Sequence, residues 1–196
     1  MLERFRPKLK IILEPIAKRI NVNPNVITII SPFIALISAI FFATQHLFFG
    51  GLFILISGIF DILDGAVARY NNKTSDFGAI LDSTIDRFSD TIIIIGLIFG
   101  GYATWFIGVL AIHSAITVSY IRARAESKGI PCTVGIAERA VRLIILMLGV
   151  LIAVILNNSI YMNLTIILVV ILSYITVFQR IYHVWKFTSQ KEKNYK

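Results

Sequence analysis

Six apolar runs, each about long enough to cross a bilayer, follow one another with only short polar breaks between them, near residues 26–44, 47–69, 76–99, 103–125, 137–156 and 162–186. A hydrocarbon core takes roughly 20 residues of α-helix, and lipid offers no partner for an unpaired backbone N–H or C=O. The pattern therefore predicts an all-α, polytopic membrane protein with six transmembrane helices, and it leaves no room for a separate soluble domain. Composition agrees, with 57% of residues apolar and 15% charged, far from the balance of a water-soluble domain. The single cysteine, Cys132, excludes an internal disulfide framework and reads as an inert loop thiol; no paired Cys or His spacing suggests structural zinc. His46, His113 and His183 are scattered and read as packing or interfacial residues.

Charge tests the helix count independently. Lys and Arg occur before the first run, around residues 69–87, around 122–142 and from Arg180 onward, while the breaks near 44–50, 99–104 and 156–162 carry none. All basic residues thus fall on one side, which the positive-inside rule makes cytoplasmic, together with both termini. The acidic residues lie in the same stretches, so the site is expected at the cytoplasmic face of the cell membrane. The net charge of +8 is accounted for by topology, and no glycine-rich phosphate loop or basic motif points to nucleic acid.

Ahead of the first span, Phe5, Leu9, Ile12, Leu13, Ile16 and Ile20 recur at helical spacing among basic residues. That describes an amphipathic helix on the membrane surface, and the segment lacks the compact apolar core of a secretory signal, so it is expected to be retained. The resulting division is a surface helix over 1–22, a six-helix membrane domain over 23–187 and a basic tail over 188–196.

The stretch from Asp61 to Asp90 carries the chemistry. Asp61 and Asp64 are three apart near the end of the second run, and Asp82 and Asp86 four apart near the start of the third, so each pair shares a helical face. A carboxylate within the membrane costs about 2.5–3.5 kcal/mol on the insertion scale, and four of them need compensation. A divalent ion would provide it, as would a structural salt-bridge cluster with Arg69, Lys73 and Arg87. Hard oxygen ligands suit Mg2+ or Mn2+, and two such ions could clamp a pyrophosphate. Gly65 and Gly78 lie one turn from a carboxylate, where they admit either a ligand or a neighbouring helix.

Asp61, Asp64, Gly65, Ala68, Arg69, Gly78, Asp82 and Asp86 reproduce D-x2-D-G-x2-A-R-x8-G-x3-D-x3-D without a mismatch, and in this the chain resembles the CDP-alcohol phosphotransferases. The resemblance extends over nearly the whole chain through the six-span plan. It implies a homodimeric, Mg2+-dependent (Mn2+ as an alternative) transferase with two ions per protomer, which moves a substituted phosphoryl group from a CDP-linked lipid to an alcohol and releases CMP. It makes Asp61, Asp64, Asp82 and Asp86 metal ligands, with Asp86 also the base that accepts the acceptor's proton. Gly65, Arg69, Ser75 and Gly78 would contact the CDP-lipid, as would Pro24, Asn25 and Thr28, which match a P-N-x2-T segment that helix capping also explains.

The acceptor is addressed by SYIRARAESKG and ERAVRL, which place Arg122, Arg124, Arg139, Arg142 and Arg180 near one leaflet. Anchoring by positive charge explains their position, whereas their uniform choice as Arg suits phosphate oxygens. The pattern is similar to the branch of the family that uses inositol phosphate, which would assign Ser119 and these five arginines to the acceptor phosphate. Two alternatives stay open: the same chemistry with glycerol 3-phosphate, serine or another inositol compound, and a divalent-metal transporter. Transport would call for ionisable residues along the rest of a crossing path, and the outer halves of the runs have none.

Overall fold

In the computed structural model the described residues are 22–193 together with Pro15 and Lys18. Among them the fold is entirely helical: α1 (Pro24–Ala43), α2 (Leu47–Tyr70), α3 (Asp76–Phe99), α4 (Trp105–Glu126), α5 (Arg139–Ile155) and α6 (Ile160–Lys193). The surface helix expected over residues 1–22 lies almost wholly outside the described residues. Every expected membrane run coincides with one helix to within a few residues at its start; α6 continues to Lys193, through residues assigned from sequence to a tail beginning at 188.

Local chemistry sets the boundaries. Asn23 caps α1, its side chain accepting from the Asn25 N–H at 3.1 Å, and Pro24 follows in the first turn, where its missing N–H costs nothing. Ser75 caps α3 by accepting from the Gly78 N–H at 3.0 Å. Gln45, Asn72 and Asn157 adopt φ of 63°, 51° and 47° in the turns after α1, α2 and α5, a left-handed conformation that asparagine tolerates better than most residues. These short turns reverse the chain, so consecutive helices alternate in direction. The turns at 44–46, 100–104 and 156–159 hold no charged residue, while those at 71–75 and 127–138 do.

α1 is the central support of one half of the bundle, packing against both α2 and α3; α6 supports the other half through α4 and α5, and α2–α5 and α3–α4 contacts join them. The buried face of α1 runs Ile27, Thr28, Ser31, Ile34, Ala35, Ser38, Ala39 and Phe42, a three-four repeat in which the small residues allow close approach. At Gly96 of α3 an added Cβ would lie 2.5 Å from both Cα and O of Ala39, so backbone meets backbone there and no side chain fits. The main core joins Phe42, Ile54, Ile93, Leu97, Leu146, Val150, Met162 and Ile166. Outside it, Phe33, Phe99, Phe106, Ile155 and Phe178 face outward, with Ile155 78% exposed; apolar surface of this extent suits lipid rather than water. Four helices, α1, α2, α4 and α6, are long and apolar enough to cross a membrane, which makes this an integral membrane protein.

Candidate functional site

The paired aspartates arrive together because α2 and α3, joined by residues 71–75, both pack on α1, which sets their charged ends opposite each other. Oxygens of Asp61, Asp82 and Asp86 all lie within 4.8 Å of one another. Asp64, one turn further along α2, sits beside this triad rather than in it: it is 5% exposed and accepts a hydrogen bond from the Thr28 hydroxyl at 2.6 Å. Thr28 thereby fixes Asp64 from α1, a role the sequence did not assign. The four carboxylates are hard oxygen donors on two facing helices, a set that fits a divalent cation.

Beside the triad lies an open cleft of about 150 Å³ between α1, α2 and the start of α3, lined by Pro24, Asn25, Thr28, Asp64, Gly65, Arg69, Ser75, Gly78 and Asp82, with Ala68, Lys73, Thr74 and Ala79 completing it. All seven residues expected to contact the CDP part are in this lining, and Asp82 belongs to both cleft and triad. The glycines keep it open. A Cβ at Gly78 would stand 3.1 Å from Ser75 Oγ and 3.2 Å from Asn25 Oδ1, and one at Gly65 would stand 3.2 Å from Arg69 Nη1. Thr74 is an addition that sequence reasoning passed over, and Lys73, read there only as a charge partner for the carboxylates, also lines the cleft; their signal was the turn between two halves of the motif.

The five arginines are divided by the fold. Arg139, the first residue of α5, reaches into the carboxylates: Nη1 lies 2.7 Å from Asp61 and 2.9 Å from Asp86, and Nε lies 3.2 Å from Asp90. Arg142, one turn on, donates to the other Asp90 oxygen at 2.9 Å and to the Ala137 carbonyl at 3.0 Å. Arg180 is 2% exposed and donates through Nε to the Val134 carbonyl at 2.9 Å and through Nη1 to the Val118 carbonyl. Arg122 pairs with Glu126 on the surface at 2.9 Å, Arg124 is exposed, and Ser119 bonds back to the Ala115 carbonyl at 3.2 Å. Arg139, Arg142 and Arg180 therefore face the interior and the other two do not. Arg87 turns to its own helix, contacting Asp86 at 3.5 Å and the Ser83 carbonyl.

Asp90 is the residue sequence reading missed. It closes the quoted acidic stretch and stands four after Asp86, hence on the same face of α3, a spacing that signalled its place at the site. The loop carrying Arg139 is held from α6: Thr176 Oγ accepts from the Ala137 N–H at 2.9 Å, and His183 is 2.9 Å from the Pro131 carbonyl. Burial in this loop pushes the Cys132 thiol above its ordinary range, with the nearby Arg180 opposing, which agrees with an inert thiol.

A family model described as CDP-alcohol phosphatidyltransferase matches residues 21–178. The chain is 44% identical over 186 residues to an archaetidylinositol phosphate synthase of Methanothermobacter thermautotrophicus, covering 95% of each chain. It is 39% identical over 190 residues to the archaetidylinositol phosphate synthase of Pyrococcus horikoshii, covering 95% of this chain and 97% of the other. Among solved structures, the phosphatidylinositol phosphate synthase of Mycobacterium tuberculosis with CDP-DAG bound superposes with a TM-score of 0.79 at 31% identity, over 89% of this chain and 94% of that one. The same enzyme in complex with manganese and citrate gives 0.76 at 30% identity, over 88% of each.

Proposed function

We infer the substrates of this chain from its membership: it belongs to the CDP-alcohol phosphatidyltransferase family and is a transferase of phospholipid biosynthesis. It transfers the lipid phosphoryl group of a CDP-activated lipid, CDP-diacylglycerol or CDP-archaeol, to inositol phosphate and releases CMP. The observation that carries this reading is the convergence of seven candidate CDP contacts in one cleft that shares Asp82 with the carboxylate triad and adjoins Arg139.

The chemistry follows from the groups present. The cleft receives the CDP part against the open backbone at Gly65 and Gly78, with Arg69 and Lys73 supplying charge to the pyrophosphate. Asp61, Asp64, Asp82 and Asp86 hold Mg2+, or Mn2+ in its place, as two ions per protomer, and the metal supplies neutralisation of charge on the transferred phosphoryl group. An acceptor hydroxyl forms the new P–O bond to the lipid-bearing phosphorus as the bond to the CMP oxygen breaks, and its proton passes to a carboxylate oxygen of Asp86. A carboxylate beside cations is a weak base, so transfer is late in the step. Arg139, Arg142 and Arg180, the inward-facing three, orient the acceptor's phosphate; Ser119 and the exposed Arg122 and Arg124 stand apart from these contacts.

Placed in the bilayer, all six helices cross, the short α5 and the charged half of α3 being screened by their neighbours. Both termini and the site lie at the cytoplasmic face, where the basic residues are. The lipid tails enter sideways from the membrane, and the protein is a homodimer. The test is CMP release from CDP-lipid with a panel of acceptors. Inositol phosphate should be used in preference to free inositol, glycerol 3-phosphate and serine; equal use of inositol and inositol phosphate refutes the acceptor assignment.

A further inference from the structure

The guanidinium of Arg139 lies where positive charge is needed by the carboxylates. Its Nη1 bridges Asp61 and Asp86 at 2.7 and 2.9 Å, using oxygens of two triad members. A small divalent cation would sit about 2.0–2.1 Å from such oxygens, in the same space and repelled by the guanidinium, so the two occupants exclude each other. The start of a helix is an unfavourable place for a cation, yet Arg139 is the first residue of α5, and three aspartates compensate for it. The remaining edge is held separately: Nε contacts Asp90 at 3.2 Å, and Asp90 also binds Arg142 at 2.9 Å. Asp90 stands outside the triad, so this contact survives when the triad takes another partner.

We propose that Arg139 is the built-in counter-ion of the Asp61–Asp82–Asp86 cluster, and that a divalent ion enters by exchanging places with its Nη1 edge while Asp90 retains the side chain as a pivot. This rests on the reading of the cluster as a metal site. The exchange leaves the membrane-embedded carboxylates with a positive partner in both states, one charge from the guanidinium or two from the ion. It also turns the freed Nη1 edge toward an incoming phosphate only once the ion is in place, so acceptor capture follows metal loading. Arg139 is thus a positioning residue for the order of binding as well as a contact for the acceptor.

The test uses Mn2+ alone as the probe, titrated into the purified, chelator-stripped protein in detergent and followed by the electron paramagnetic resonance signal of the free ion. Arg139→Gln should bind Mn2+ at least tenfold more tightly than the wild type, with Arg139→Lys between them, since a lone ammonium has no second nitrogen to hold Asp90 as Nε does while it bridges Asp61 and Asp86. Without metal, Arg139→Gln should melt below the wild type, and saturating Mn2+ should raise its melting temperature by more. Should Arg139→Gln fail to fold, Arg139→Lys decides, and it must still bind more tightly than the wild type. Unchanged or weaker Mn2+ affinity in the folded variants overturns the exchange and leaves the metal site standing. Absence of Mn2+ binding in wild type and variants alike overturns both.

Discussion

Replacing Asp90 by Asn keeps the shape of the side chain and removes the charge that two buried guanidinia share. Each Asp90 oxygen accepts one of them, Oδ1 from Arg139 at 3.2 Å and Oδ2 from Arg142 at 2.9 Å, and the Arg142 side chain is 6% exposed against 15% for Asp90. Breaking one partner out of a buried pair costs about 3–5 kcal/mol. Both arginines keep other partners, Ala137 for Arg142 and Asp61 and Asp86 for Arg139, and Asn retains one acceptor oxygen, so about 2–4 kcal/mol is the expected loss. The assay is reversible unfolding of the detergent-solubilised protein by titration with a denaturing detergent, for Asp90→Asn, Arg142→Gln and the double variant. Because Arg142→Gln removes the charge that Asp90→Asn strands, the double variant should lose about 1–3 kcal/mol less than the sum of the singles. A loss below about 0.5 kcal/mol for Asp90→Asn, or additivity within about 0.5 kcal/mol, would refute the shared-anchor reasoning.

Asp82→Asn should nearly abolish CMP release while the protein stays inserted and folded, because a neutral amide weakens a hard-cation site at the residue shared by cleft and triad; substantial turnover by the folded variant counts against the assignment. Arg142→Lys should raise the acceptor KM, corresponding to part of the about 1.5–3 kcal/mol of a charge-assisted hydrogen bond, and leave CDP-lipid binding nearly unchanged; an unaltered KM would return Arg142 to a purely structural role. Gly96→Val should destabilise by more than about 2 kcal/mol in the same unfolding assay, since its Cβ would meet the Ala39 backbone at 2.5 Å. Cys132 has its thiol shifted upward by burial, so less thiolate is present near pH 8 than in an exposed cysteine; its alkylation should be slow in the folded protein and speed up sharply on unfolding, measured by mass spectrometry.

Much of the cleft was legible because it is built from neighbours in sequence. Asp64, Gly65 and Arg69 share the end of one helix, Ser75 and Gly78 open the next, and a five-residue connection keeps the two ends close while both helices pack on α1. The α1 residues joined them on a weaker signal, since capping alone explains Pro24 and Asn25; the hydrogen bond from Thr28 to Asp64 supplied the reason they belong. The arginines were less legible. Arg139 and Arg142 share a face of α5 by their spacing, but a positive residue near a membrane surface has the same pattern whether it meets lipid, a phosphate or a carboxylate.

By itself the sequence determined the helices, their alternation and the end of the bundle that carries charge, because the cost of burying charge or unpaired backbone in lipid depends on local composition and is large enough to overrule other preferences. Only the tertiary structure decided which charges meet. Arg139 reaches Asp61, Asp86 and Asp90 across gaps of 78, 53 and 49 residues, and Arg180 turns to the carbonyls of Val118 and Val134. Those pairings depend on α5 and α6 packing at particular depths and rotations, which small-residue contacts set, such as Gly51 against Val150, where an added Cβ would lie 2.6 Å from Val150 Cγ1. Contacts of that kind act between distant segments and leave no period or motif in the chain.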